Sequence, residues 1–271
     1  MSVAAVFPLP VEAGLLGAVV GTVLALTGAG GGVMAVPLLV LVLHWPLGEA
    51  APTALLAVGF AAALGAVNGM QTGQVRWRAA LLMGGAGMLG APVGIAMSRV
   101  LPSAPLLWGF ATLMLWLGWR QWPRPHAVEA PHHEAKPACI VNPHNGRLHW
   151  TSRCARAVAG TGLLSGTLSG LIGVGGGFVI VPALKRHTNL ALRQVQLTSL
   201  AVIALVAISG VASAALHGQL PWHEALPFTG GAMAAMLLGR QLADKMPPVW
   251  SHRFFSASCI LVATLLLTRT L

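Results

Sequence analysis

The sequence predicts an all-α polytopic integral membrane protein of two inverted-topology repeats, each a broken or re-entrant Gly-rich helical hairpin followed by three transmembrane helices. Three observations carry that expectation: an apolar composition, a duplication of the chain upon itself, and a one-sided distribution of basic residues. Of 271 residues, 56% are hydrophobic and 8% are charged, and the mean hydropathy is +0.76. A soluble domain carries roughly 25% charged residues, so this chain has too few to cover a surface in water, and lipid is its main solvent. The 33 glycines and 18 prolines are tolerated in such a chain where neighbouring helices re-satisfy the backbone. Nine Trp and no Tyr supply the amphipathic rings of an interfacial belt. A net charge of +10 would point to nucleic acid on a soluble domain. Here its placement matters more than its size, and no nucleic-acid partner is expected.

Sliding the chain over itself by 145 residues aligns positions 14–102 with 159–247 without a gap, with 25 identities in 89 pairs. Chance would give roughly one in ten from this composition. Gly17, Gly21 and Thr22 match Gly162, Gly166 and Thr167; Gly28-Ala-Gly-Gly-Gly32 matches Gly173-Val-Gly-Gly-Gly177; Val36-Pro37 matches Val181-Pro182; Thr53 matches Thr198. A repeat this long with no shorter period excludes a solenoid and points to a duplicated transporter or channel core.

The elements follow in order. Residues 1–122 form the first membrane repeat. It opens with an apolar stretch over 14–43, which as one helix would run about 45 Å, well beyond a hydrocarbon core of about 30 Å, so the Gly-rich motif breaks it. No basic region precedes it and no small-residue cleavage site stands apart, so it is read as a membrane segment rather than a leader. Three ordinary spans follow over 51–70, 79–97 and 104–122. Residues 123–157 form a polar linker, and 158–271 the second repeat, with its broken stretch over 160–184 and spans over 196–216, 225–242 and 254–270.

Basic residues choose between two architectures. If every segment crosses, the repeats are parallel and the 16 Lys and Arg divide 9 to 7 between the two sides. If each broken segment returns to its own side, each half crosses three times and the repeats are inverted. Arg76, Arg78, six residues of the linker region, Lys185, Arg186, Arg193, Arg240, Lys245 and Arg253 then share one face, leaving Arg99 and Arg269 opposite, 14 to 2. The second arrangement is chosen. It places the linker in the cytoplasm and the N-terminus outside, in a bacterial inner membrane.

The linker holds Cys139, His144, His149 and Cys154, with His132 and His133 nearby. A Cys2His2 zinc site is conceivable, but the spacing matches no common zinc pattern, and the run around Asn145-Gly146 reads better as a short β-hairpin. With Cys259 in an apolar segment, the three cysteines do not suggest a disulfide framework. No metal and no cofactor are expected.

The two Gly-rich breaks place uncovered backbone N–H groups at membrane depth, each at the start of a new half-helix whose dipole presents its positive end. Non-helical backbone is stable there only if it is buried in protein or lines a cavity. Two such ends facing each other make an anion site without a buried cation. The competing reading, close helix packing through small residues, suits a lone glycine better than a duplicated triple one followed by an aligned Val-Pro. The candidate binding residues are Gly28, Gly30, Gly31, Gly32, Gly173, Gly175, Gly176 and Gly177. Neutral donors join them: Thr53, Thr198 and Ser199 early in the helices after the breaks, and Asn68, which aligns with Ser213. Thr22, Thr27, Ser165, Thr167 and Ser169 flank the breaks. A bulky residue at Gly31 or Gly176 is expected to abolish binding and leave the fold intact. The six carboxylates, Glu12, Glu49, Glu129, Glu134, Glu224 and Asp244, all fall at segment ends or in loops, so no intramembrane acid is expected to hold a cation or relay protons. No catalytic triad or zinc-protease motif is present, so an enzyme is not expected.

The duplicated Gly-x-Gly-Gly-Gly-x-x-x-Val-Pro motif, each copy followed about 16 residues later by Thr53-Ala or Thr198-Ser, resembles the TauE/SafE family, also called toluene sulfonate uptake permeases. The resemblance spans nearly the whole chain. It implies a secondary carrier for sulfur-containing anions such as sulfite, thiosulfate or organosulfonates, with the glycine breaks, Thr53, Thr198 and Ser199 lining the site. Ala54 stands where the second copy has Ser199, so the half-sites are expected to contribute unequally. The alternatives are a passive anion channel and a metal-responsive membrane protein using the Cys/His linker.

Overall fold

The computed structural model describes residues 9–28, 30–121, 139, 151–188, 190–218, 220–243, 256–257 and 259–265. The described residues are almost wholly helical: α1 (Leu9–Thr27), α2 (Gly30–Val42), α3 (Leu47–Gln71), α4 (Trp77–Val100), α5 (Ser103–Gln121), α6 (Ser152–Ile172), α7 (Gly177–His187), α8 (Leu192–Leu216) and α9 (Trp222–Ala243). Residues 256–257 and 259–265 are also helical. Four of the described helices are long and apolar enough to cross a membrane: Pro10–Thr27, Leu47–Gln71, Trp77–Ser98 and Leu192–Leu216. The chain is an all-α polytopic membrane protein. Leu89, Leu164, Leu226 and Leu238 stand exposed on its outer surface, which lipid covers at no cost in apolar hydration.

The apolar runs place these helices, and local chemistry sets their ends. Helix α3 stops where Gly73 takes a left-handed conformation, and α8 stops the same way at Gly218. Helix α6 starts at Ser152, eight residues before the expected apolar stretch, because Thr151 caps it by accepting the Cys154 N–H at 3.1 Å. Its first turn carries Arg153 and Arg156, which hid it from an apolarity criterion. Helices α3 and α8 are offset by 145 residues at both ends.

Small residues let the helices approach until backbone meets backbone. A Cβ on Gly17 or Gly21 of α1 would overlap the carbonyls of Phe228 and Ala232 on α9, and one on Gly162 or Gly166 of α6 would overlap those of Met83 and Gly87 on α4. These are the same contacts shifted by 145 residues in opposite directions. The partner number rises with the residue number, so α1 runs parallel to α9 and α6 parallel to α4. At the centre, Gly59, Gly65 and Gly69 of α3 face Ala207, Leu200 and Leu197 of α8, so these two helices run antiparallel. Helix α2 folds back on α1, with Gly31 against Leu24 and the Val20 carbonyl; α7 folds back on α6 in the same way, Gly176 lying against Ser165.

One end of the bundle carries the α5–α6 linker. There Cys139 and Cys154 form a disulfide, contrary to the expectation of unpaired cysteines. The Cys139 N–H donates to the His187 carbonyl at 2.9 Å, and the residue forms an isolated parallel bridge with Thr188. The linker is thereby fastened to both the start of α6 and the end of α7. The expected hairpin around Asn145-Gly146, and His132, His133, His144 and His149, lie outside the described residues. Both thiols of the conceivable zinc set are used in the disulfide, which removes them as ligands.

Candidate functional site

The first break is closed by its own neighbours. Gly28 turns the chain with φ +72°, and Thr27 Oγ1 caps α2 by accepting the Gly30 N–H at 2.7 Å. From α8, Gln196 Nε2 donates to the Thr27 carbonyl at 3.2 Å and Ser199 Oγ to the Gly28 carbonyl at 3.0 Å. Gly28 lies directly against the Gln196 side chain. The carbonyls at this turn thus find donors within the protein, as buried backbone must.

The second break is different at each matching position. Gly173, Gly175 and Gly176 all have positive φ, 79°, 71° and 65°, and no side chain caps the N-terminus of α7. Gly173 lies against Ala51, the counterpart of Gln196, and Ala54 stands in place of Ser199, so α3 offers no polar group there. The polar groups come from α6 instead. Ser165 and Ser169 are fully buried and their hydroxyls have no hydrogen-bond partner; an added Cβ on Gly176 would stand 2.8 Å from Ser165 Oγ. The matching residues of α1 are the apolar Val20 and Leu24. Thr53 also is fully buried with an unpaired Oγ1, whereas Thr198 accepts the Arg76 N–H at 3.2 Å. The residue corresponding to Arg76 is Pro221, which has no N–H to give.

A cavity of about 270 Å³ reaches the second break, bounded by Ala51, Pro52, Ile95, Ser169, Gly173 and Gly210 among others. Its rim includes the exposed Pro46, Gly48 and Leu101, at the end of the bundle where α3 begins and α4 ends, opposite the linker. Inward, the two breaks meet. Gly32 abuts the Val174 carbonyl, and Gly175 is flanked by Val58 of α3 and Ile203 of α8, both buried.

The fold therefore brings together Gly32, Gly173, Gly175, Gly176 and Gly177, with Thr53 just beyond the Ala51–Pro52 wall of the cavity. Gly30 opens α2, and Gly31 is packed into the α1–α2 hairpin. Gly28, Thr198 and Ser199 belong to the closed first break. Asn68 stands apart, exposed at the linker end of α3, about 22 Å along the helix from Thr53. Neither Gly31 nor Gly176 has room for the bulky substitution expected to spare the fold. Gly31 would drive a side chain into Leu24 and the Val20 carbonyl, and Gly176 combines positive φ with contact to Ser165. Sequence reasoning listed Ser165 and Ser169 only as flanking residues; their burial without a back-bond shows only in three dimensions. It also missed Gln196 as the group that seals the first break. Of the described carboxylates Glu12 alone is buried, at 9% exposure, with Oε1 unpartnered in the first turn of α1.

Paired helical hairpins meeting at the centre of an apolar bundle define a polytopic membrane transporter. The family described as Sulfite exporter TauE/SafE matches residues 13–266, and the chain belongs to it. Two curated proteins of Xylella fastidiosa, each named "Probable membrane transporter protein", are similar. That of strain Temecula1 is 29% identical over 240 residues, covering 84% of this chain and 85% of its own. That of strain 9a5c is 29% identical over 239 residues with the same coverage. No solved structure matches.

Proposed function

We propose that the protein is a secondary transporter of small sulfur-containing anions, sulfite, thiosulfate or organosulfonates, that binds its substrate at the glycine breaks between two inverted repeats and works by alternating access. The observation that carries this reading is the meeting of Gly32 with Val174 beside Val58 and Ile203, which seals the centre while a cavity reaches the second break from one end only. The family membership supports the substrate class. The antiparallel course of α3 and α8, equivalent by sequence, supports inversion of the repeats. Exposure of the site to the other side requires one set of helices to move against the other around the Val58–Ile203 contact.

The linker end carries Arg76, Arg78, Arg153, Arg156, Lys185, Arg186, Arg193 and Arg240 at helix ends or turns, so it faces the cytoplasm of the inner membrane. The cavity then opens outward.

The test is uptake of labelled sulfite, thiosulfate, taurine, sulfate and an arylsulfonate by proteoliposomes containing the purified protein. Saturable flux with counterflow of a sulfur-containing anion is expected. Flux that rises linearly with concentration and shows no counterflow identifies a channel instead, and no flux of any of these anions refutes the reading.

A further inference from the structure

We infer that the anion is held on one repeat only, in a cradle at the second break formed by Ser165, Ser169, Thr53 and the uncapped N-terminus of α7, and that this cradle selects singly charged oxyanions. This rests on the anion-transport reading above and adds to it the residues and the charge of the ligand.

Three buried hydroxyls lack partners around one break, Ser165, Ser169 and Thr53, each fully enclosed. A buried polar group without a partner costs about 1–3 kcal/mol, and serines and threonines in helices ordinarily avoid that by bonding back to their own helix. Thr22, Thr161 and Thr167 of this protein do so, to Ala18, Ala157 and Leu164. Ser165 and Ser169 do not. They lie one turn apart on the same face of α6, with Ser169 lining the cavity and Ser165 deeper, beside Gly176. An anion entering from the rim would meet Ser169 first, then Ser165 and the free N–H groups where α7 begins.

The first break offers none of this. Its helix start is capped by Thr27, its carbonyls are taken by Gln196 and Ser199, and Val20 and Leu24 stand where the serines would be. The duplication was thus divided into a ligand-holding half and a sealed half.

No charged side chain is among the residues lining the cavity. The cost of removing an ion from water grows with the square of its charge, and neutral donors offset it only in part. A monoanion such as a sulfonate or hydrogen sulfite is therefore held in preference to a dianion. The volume of about 270 Å³ lies below the roughly 300–1,000 Å³ of sites for drug-sized ligands, which favours small aliphatic or inorganic species over arylsulfonates.

The experiment compares wild type, Ser165→Ala, Ser169→Ala and Thr167→Val, the last removing a hydroxyl of the same helix that is already bonded to its own carbonyl. Binding of methanesulfonate and of sulfate is measured by thermal shift and by competition with transport in proteoliposomes. Loss of one hydrogen bond to a charged ligand should weaken methanesulfonate binding about tenfold in each serine variant, with ligand-free melting temperatures unchanged and Thr167→Val equal to wild type. Sulfate should compete at least tenfold more weakly than methanesulfonate. Serine variants that bind as wild type does overturn the cradle while leaving the transporter reading intact. Equal competition by sulfate overturns the charge selection, and a wild type that binds no anion overturns both readings.

Discussion

At Thr198 and Thr53 the same residue in two copies of one repeat meets opposite fates. Thr198 satisfies the Arg76 N–H, so Thr198→Val should leave that donor unpaired and lower stability by about 1–2 kcal/mol. Thr53 bonds to nothing, so Thr53→Val should leave unfolding unchanged or slightly raise its midpoint. Thermal denaturation in detergent measures both, and equal losses would contradict the difference in partnering. The sequence displayed both threonines and their pairing. It could not display that difference, because Pro221 matters only through the N–H it lacks opposite a partner 145 residues from Arg76's. The serines of α6 were unreadable for a related reason: a membrane serine is ordinary until its helix shows that it has not bonded back.

Among the elements, the helix positions were legible because an apolar run of membrane length leaves little choice, and the breaks because three successive glycines cannot hide. What escaped was the start of α6, where Arg153 and Arg156 mask a capped turn, and the Cys139–Cys154 bridge, since two cysteines in a polar segment carry no sign of their separation in space. That bridge closes a loop over a sequence separation of 15 and pins the base of the α6–α7 hairpin; its α1–α2 counterpart has no cysteines. The loop-entropy model gives about 3 kcal/mol for a loop of this size. Replacing both cysteines by serine should therefore lower stability by about that amount under oxidising conditions and by nothing in excess reductant. On the membrane-facing elements, Gly166→Leu and Gly21→Leu each force a side chain into a facing carbonyl. Each should destabilise by at least the 1–3 kcal/mol of an overpacked contact, read as a lower yield of monodisperse protein.

For the whole molecule, the reciprocal contacts of α1 with α9 and α6 with α4 make neither half a domain by itself. If the repeats are inverted, equivalent positions lie on opposite sides of the membrane. Single cysteines introduced at Gly73 and Gly218, both exposed with open space around them and 145 residues apart, should be labelled by an impermeant maleimide from opposite faces of intact vesicles, Gly73 from the linker side. Labelling from one face would rule out the inversion. The duplication itself could be read from the chain; its hand could not be read from identities, and came first from the balance of charges and then from the course of α3 against α8.

The interlocking of α1 with α9 also constrains how the protein is made. About two hundred residues separate Gly17 from the Phe228 carbonyl it touches, so the first helix leaves the ribosome and enters the bilayer long before its partner exists. During that interval its small-residue stripe faces lipid, which gives it little reason to associate early, and final assembly waits on late, non-local contacts. The α1–α2 hairpin, whose members are neighbours in sequence, can close at once and hold the glycine turn in shape until α9 arrives.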